Sequence, residues 1–382
     1  MDWQRAENIL CVRLDMLGDV LMTTPALRAL KQSHPGRRLT LLTSSTAAAL
    51  PPLVPEIDDC ILYDAPWMKA TAPRTDSRPD FAMIKQLRRM RFDAAVIFTV
   101  FSQNPLPAAL LCLWAEIPLR LAHCRENPYQ LLTDWVREPE PEQFIRHEVR
   151  RQLDLVATIG CHTTNERLSL SVPAEATRRI RTVLHELGLG SEEPWALIHP
   201  GASAPSRRYP PERFAQAAEL LAIVHGLPIV FSGSAGEREL IESIRTAIAA
   251  PSHSLAGCLN LAELAALIAQ APLLITNNTG PAHIAAAVGT PVVDLYAQTN
   301  PQHTPWQVPH RLLYHDVPCK NCFKSVCPQG HHDCLARVPP EAVVQAALEL
   351  LASKKSTAAT VRERWEEPLP YGRGCAFLAD KG

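Results

Sequence analysis

Short apolar runs recur along the chain, each closed by a turn of small or polar residues and most followed by a helix-like hydrophobic period. In the first half the runs are Ile9 to Leu14, Leu39 to Thr43 and Ala94 to Thr99. The first passes a turn at Gly18 into an amphipathic stretch from about Asp19 to Gln32, and Phe81 to Met90 carries another helical period. In the second half Trp195 to Ile198 enters His-Pro-Gly-Ala-Ser, and Leu227 to Phe231 enters Ser-Gly-Ser-Ala-Gly-Glu. Leu273 to Thr276 enters Asn-Asn-Thr-Gly-Pro-Ala-His, and Pro291 to Leu295 enters Tyr-Ala-Gln-Thr-Asn-Pro-Gln. Apolar runs alternating with helices predict an α/β fold of parallel sheets covered on both faces. Ligands in such sheets sit beyond the carboxyl ends of the strands, so these turns are expected to line one pocket.

Punctuation divides the chain. Pro51, Pro52 and Pro55 mark a break, Glu138-Pro139-Glu140-Pro141 reads as a stiff surface loop, and a helix from Phe144 to Ile159 ends at Gly160. Thr163 to Glu193 surrounds a basic helix with Ser-Val-Pro and Gly-Leu-Gly and reads as the link between domains. The expected organisation is a first domain over 1–165, a link over 166–193, and a second domain over 194–350. A tail over 351–382 has little apolar periodicity and is expected to be loosely held. The longest apolar stretch, Leu106 to Ala115, is far below the ~20 residues that span a bilayer and reads as a core helix.

With 382 residues, 47% hydrophobic and 20% charged, the chain is neither disordered nor fibrous. A net charge of −1 gives no sign of a nucleic-acid partner. The basic clusters Arg146/Arg150/Arg151 and Arg178/Arg179/Arg181 read as solvated helix faces. The start lacks the basic, apolar and small-residue succession of a secretory signal, so a cytoplasmic location is expected. Eleven cysteines are then expected to be reduced. Cys319, Cys322, Cys327 and Cys334 form C-x2-C-x4-C-x6-C, with His331 and His332 inside the last interval, a spacing that could enclose a structural zinc ion or an iron–sulfur centre.

The turn at 277–283 has the chemistry of an anion seat. The first N–H groups of a helix lack internal partners and sit at its positive end, Gly280 permits close approach, and Pro281 is preset for a first helical turn. Neither G-x-G-x-x-G nor G-x-x-x-x-G-K-[ST] is present, and no Asp-x-Asp pair offers itself to a metal-bound diphosphate. Phosphate charge would fall to backbone donors and to cations such as Arg207 and Arg208, which follow a small-residue turn and precede Tyr209-Pro210. Asp19, at the start of the first helix, reads on its own as an N-cap.

The segments Arg13-Leu-Asp-Met-Leu-Gly-Asp19, His199-Pro-Gly-Ala-Ser203 with Arg207-Arg208-Tyr209-Pro210, Phe231-Ser-Gly-Ser-Ala-Gly-Glu237, and Ile275-Thr-Asn-Asn-Thr-Gly-Pro-Ala-His283 together resemble the bacterial heptosyltransferases of glycosyltransferase family 9, over most of residues 8–348. The resemblance implies a GT-B architecture, two Rossmann-like doubly wound domains facing across a cleft. It implies inverting, metal-independent transfer of a heptose from a nucleotide-activated donor, commonly ADP-heptose, to a lipid-anchored lipopolysaccharide inner-core acceptor, with no cofactor required. A lipid-anchored acceptor would bring the enzyme to the inner face of the inner membrane.

Carried over by position, the general base falls on Asp19. The phosphate-contacting lysine falls on Arg207, and Ser203, Thr279, Gly280 and His283 join it at the donor. Asn278 stands where some members carry aspartate. Gly18, Arg120 and Arg146 are the acceptor-side candidates. Two other readings stay open from sequence. One is a sugar-nucleotide epimerase or hydrolase on the same scaffold, using His199, His283 or Asp294. The other is a non-catalytic, metal-dependent interaction protein built on residues 319–334.

Overall fold

The computed structural model describes residues 2–190 and 194–366. Two six-stranded parallel sheets form the frame. The first holds β1 (Asn8–Val12), β2 (Arg38–Thr43), β3 (Asp59–Leu62), β4 (Ala94–Ile97), β5 (Leu119–Cys124) and β6 (Asp134–Arg137), in the order β3-β2-β1-β4-β5-β6. The second holds β7 (Ala196–His199), β8 (Ile229–Phe231), β9 (Ser252–Ser254), β10 (Leu274–Asn277), β11 (Val292–Leu295) and β12 (His310–Leu313), in the order β12-β11-β10-β7-β8-β9. Both follow one doubly wound plan, with the strand order reversing between β1 and β4 and between β7 and β10.

Helices cover both faces. In the first half they are α1 (Leu17–Gln32), α2 (Arg78–Met90), α3 (Leu106–Trp114) and α4 (Glu148–Ala157). Then come α5 (Ala174–Glu186), α6 (Pro211–Glu219), α7 (Arg238–Thr246), α8 (Leu261–Gln270), α9 (Gly280–Val288), α10 (Asp333–Ala336) and α11 (Pro340–Glu366). β1 shows why its sequence is apolar without alternation. Ile9 and Cys11 join the core beneath α1 and α4, while Leu10 and Val12 join Met83 and Leu87 of α2 and Ala109 and Cys112 of α3. In the second sheet Ile198, Phe231, Ile275 and Val293 pack with α6, α7 and α11. Leu197, Leu274 and Val292 belong instead to the cluster that contains Ile9 and Leu41, so one apolar core runs through α1, α4, α5, α8 and α9 into both sheets.

Several sequence expectations change here. Part of the segment read as a link is a packed element: α5 buries Ala176, Ile180 and Leu184, and Arg179 pairs with Glu263 of α8. The stretch before it is strapped to the first half. Arg28 donates to the carbonyls of Asn165 and Arg167, the Ser169 N–H donates to Thr24 Oγ1 at 2.8 Å, and the Ser171 N–H donates to the Leu53 carbonyl at 2.7 Å. Residues 191–193 lie outside the described residues.

Glu138 and Glu140, read as surface, are buried because they neutralise Arg151 and Arg146. Arg151 is itself buried and donates to the Thr99 carbonyl, so it is no solvated helix position. α4 starts at Glu148 and not at Phe144, since the His147 ring caps it by accepting from the Val149 N–H at 3.2 Å. α11 continues through Glu366, past the loss of apolar period near Ala352, and the remaining tail residues 367–382 lie outside the described residues. Among the described residues no helix is long and apolar enough to cross a membrane.

Candidate active site

The carboxyl ends of the central strands open on a cleft of about 780 Å³ between the two sheets. Asp15, Asp19, Lys69, Thr99 and Gln103 line it from the first half, and Ser203, Arg207, Asn300, His303 and Ser325 from the second. Both doubly wound units thus present their points of order reversal to one space, the place where such sheets hold ligands.

Asp19 belongs to α1, whose N-cap position is Met16 with no capping side chain. The aspartate is one of the first-turn residues rather than the cap, so its carboxylate is free of backbone duty. It accepts from Arg13 Nη2 at 3.3 Å. Arg13 is fully buried and also lies 3.0 Å from Asp15 Oδ2 and 2.9 Å from Glu148 Oε1. Burial raises the Asp19 pKa against the pull of Arg13, Glu148 adds to the rise, and Arg207 opposes it. Asp15 is pushed up to about 6, again chiefly by burial with Arg13 opposing. Glu148 is held below the usual carboxylate range, because Arg13 and Arg151 outweigh its burial. One guanidinium thus serves three carboxylates, and the two that face the cleft carry the higher proton affinity.

Arg207 reaches the cleft from the loop after β7. It forms no ion pair with a described residue, and its Nε is buried without a hydrogen-bond partner. Its charge is felt at Asp19, His283, Asp294 and His303. Ser203 lies exposed on the same loop.

The turn before α9 lies behind this surface and is not part of the cleft lining. Thr279 occupies the N-cap position with extended backbone, but its hydroxyl donates to the Asn277 carbonyl at 3.3 Å and caps nothing. Gly280 is half-buried beside Leu17. Asn278 is buried, and the buried His283 Nδ1 has no hydrogen-bond partner among the described residues. Burial and the neighbouring His303, His147 and Arg207 push the His283 pKa down to about 3, so its ring is neutral.

Gly18, an acceptor-side candidate from sequence, is buried against His283 instead: a methyl there would sit 2.6 Å from the ring Cδ2. Arg120 does not reach the cleft either. It is buried, with its guanidinium donating to the carbonyls of Leu131 at 2.7 Å and Gln130 at 2.9 Å. Arg146 is likewise committed, to Glu140 and to Asp154 at 2.8 Å.

His199 bonds Ser232 Oγ at 3.1 Å and lies 3.9 Å from Glu237, away from the cleft. Asp294 is buried, neither of its oxygens has a hydrogen-bond partner among the described residues, and burial raises it well above the ordinary carboxylate range.

Cys319, Cys322, Cys327 and Cys334 surround a small cavity with His331 and His332. Among the described residues, however, no three His, Cys, Asp or Glu side chains are arranged to hold a metal ion, and Cys319 is turned toward His331 Nε2 at 3.7 Å. The expectation of zinc or an iron–sulfur centre there has no support in the geometry. What the segment supplies is a bridge. Ser206 Oγ donates to the Lys324 carbonyl at 2.8 Å, Phe323 meets Phe101 edge-on with centroids 5.6 Å apart, and Lys69 Nζ donates to Ser325 Oγ at 3.0 Å across the cleft.

The sequence reading missed Arg13, Asp15, Glu148 and His303 as site residues. Arg13 and Asp15 lay within the quoted first motif. Glu148 and His303 are distant in the chain and carry no local signal.

The sequence profile of glycosyltransferase family 9 (heptosyltransferase) matches residues 81–332. The chain belongs to this family. Lipooligosaccharide heptosyltransferase 2 of Haemophilus influenzae is 27% identical over 361 residues, 90% of this chain and 99% of the relative. Among solved structures, a family 9 glycosyl transferase from Veillonella parvula superposes with a TM-score of 0.75 at 21% identity, covering 92% of this chain and 99% of its own. The ADP-heptose lps heptosyltransferase II of Escherichia coli superposes with a TM-score of 0.71 at 24% identity, covering 91% and 99%. As a family 9 member the chain is a glycosyltransferase with two Rossmann-like domains in the GT-B arrangement. The matched profile begins downstream of Asp19.

Proposed function

We propose that this glycosyltransferase moves a heptose from ADP-heptose to a lipid-anchored inner-core saccharide of lipopolysaccharide, with inversion at the anomeric carbon and no metal in the step. One observation carries the reading: a single cleft holds a carboxylate of raised proton affinity on one side and, on the other, a guanidinium without an ion-pair partner among the described residues. In one in-line displacement the acceptor oxygen bonds to the anomeric carbon as the bond from that carbon to the β-phosphate oxygen breaks. Asp19 takes the hydroxyl proton, and ADP leaves with the bonding pair. Arg207 offsets the charge gathering on the diphosphate.

The activity named for the Haemophilus relative supports the heptose and the acceptor class, and the donor named for the Escherichia coli structure supports ADP. The acceptor's lipid would place the work at the cytoplasmic face of the inner membrane. The epimerase or hydrolase reading loses its candidates, since none of His199, His283 and Asp294 lines the cleft.

The test is transfer from ADP-heptose to a heptose-deficient inner-core acceptor, with products weighed by mass spectrometry. Asp19→Asn is expected to lower kcat by about 10²–10⁴-fold with the donor still bound. Transfer by that variant at the parental rate would remove Asp19 from the mechanism.

A further inference from the structure

We propose that Arg13 and Glu148 are positioning residues for the base, Glu148 fixing the buried guanidinium that in turn holds the Asp19 carboxylate toward the cleft. The proposal deepens the reading above and rests on Asp19 being the base. Arg13 directly follows β1, and its backbone N–H donates to the Leu42 carbonyl at 2.9 Å, so its stem is anchored in the sheet. Neither Arg13 nor Glu148 lines the cleft, and both side chains are wholly buried, so neither can touch a substrate.

Glu148 is set from three sides. Its Oε1 accepts from Gln152 Nε2 at 2.6 Å, it lies against Arg13, and its backbone N–H donates at 3.0 Å to the carbonyl of Gln302 in the second half. That last bond adjoins His303, a cleft residue. The ring of His147 lies 4.4 Å from that of Trp306, so the start of α4 is docked on the loop after β11. Asp19 is thus held through a chain of contacts that ends on the opposite sheet.

The charged and titratable groups around Asp19 are Arg13 and Asp15 beside it, Glu148 of α4, and Arg207 and His303 from the second half, with neutral His283 behind Gly18. Glu148 and Arg13 act on it with opposite sign. Loss of the glutamate charge leaves Arg13 to stabilise the Asp19 carboxylate more strongly, so the acid limb of kcat/KM moves to lower pH. Loss of the guanidinium moves it to higher pH.

The experiment is the pH profile of kcat/KM and the donor KM for Glu148→Gln, Glu148→Asp, Arg13→Met, Arg13→Lys and Asp19→Asn, with thermal melting on each. The expected result is a fall of the acid limb by about one unit in E148Q and a rise of similar size in R13M, as neighbouring charges within ~4–6 Å produce. E148D and R13K keep the charge, so their limbs stay at the parental pH while kcat drops about tenfold or more through misplacement, with donor KM unchanged. Parental limbs in both E148Q and R13M overturn the proposal, and so does a parental kcat in E148D. Should E148Q and R13M fail to fold, the E148D and R13K rates decide. If D19N itself transfers sugar normally, it is the base assignment that has failed, and the two failures are therefore separable.

Discussion

Replacing Gly18 with alanine sets two effects of opposite sign against each other. Within a helix, alanine is favoured over glycine by about 0.8–1 kcal/mol, so on propensity alone the change stabilises α1. The contact geometry opposes it. The new methyl would stand 2.6 Å from His283 Cδ2 and 3.3 Å from its Nε2, and His283 is buried in the first turns of α9. The ring cannot swing into solvent, so α1 and α9 must separate. Overpacking of this kind costs about 1–3 kcal/mol. A Gly18 in the first helical turn gains little from propensity, so the clash wins, with a net loss of about 1 kcal/mol and a fall in Tm of about 1–2 °C.

The assay is a double-mutant cycle with His283→Ala, measured by thermal and chemical denaturation. With the ring gone, Gly18→Ala is expected to become neutral or stabilising, giving a coupling of about 1–3 kcal/mol. Transfer rates should track the same pattern, because a displaced α1 shifts Asp19 relative to Arg207 across the cleft. A G18A protein that melts higher than the parent, or an effect of the same sign with and without His283, would refute the reasoning.

Three further outcomes follow from the geometry. Arg207→Met should lower kcat by about 10²–10³-fold and raise the donor KM while leaving the melting temperature near the parental value, since Arg207 pairs with no described acid; unchanged steady-state constants would count against its role. Ile180→Ala should cost about 2–5 kcal/mol in chemical denaturation, because Ile180 is wholly buried in the shared core; a loss under 1 kcal/mol would show that α5 is not docked as described. Asp15 has a folded pKa near 6, above the 3.8 of the free side chain, so its contribution to stability is present at low pH and lost as pH rises through 6. Asp15→Asn should therefore gain stability relative to the parent between pH 4 and pH 7.5, and a Tm difference that does not change over that range would contradict the burial argument.

The central strands of both sheets were legible because burial on both faces makes them continuous apolar runs: β1, β2, β4, β7, β8, β10 and β11 all fall where the runs lie. β9, of sequence Ser-His-Ser, and β6, of sequence Asp-Trp-Val-Arg, were not, because each is an edge strand whose pattern is mostly polar and whose place is set by pairing with a neighbour. β5 begins Leu-Arg-Leu, and its arginine hides the run although that side chain is buried among carbonyls.

At the site, the turn at 199–207 could be placed from local chemistry alone, whereas the turn at 277–283, read as an anion seat, lies behind the cleft lining. The environment of Asp19 could not be placed that way, since Glu148 reaches it from a helix more than a hundred residues later in the chain. The same blindness to tertiary contact made Arg120, Arg146 and Arg151 look available to solvent or substrate, when each guanidinium is already occupied.

The apolar cluster that runs from Ile9 through α1 and α9 to Leu274 has a mechanical consequence. Because these side chains belong to neither half alone, pulling the halves straight apart would wet a floor that both depend on, a large and uncompensated hydrophobic loss. Substrates must then enter and products depart while that floor stays dry. The motion open to the molecule is a pivot about the α1–α9 seam, like a book opened on an intact spine.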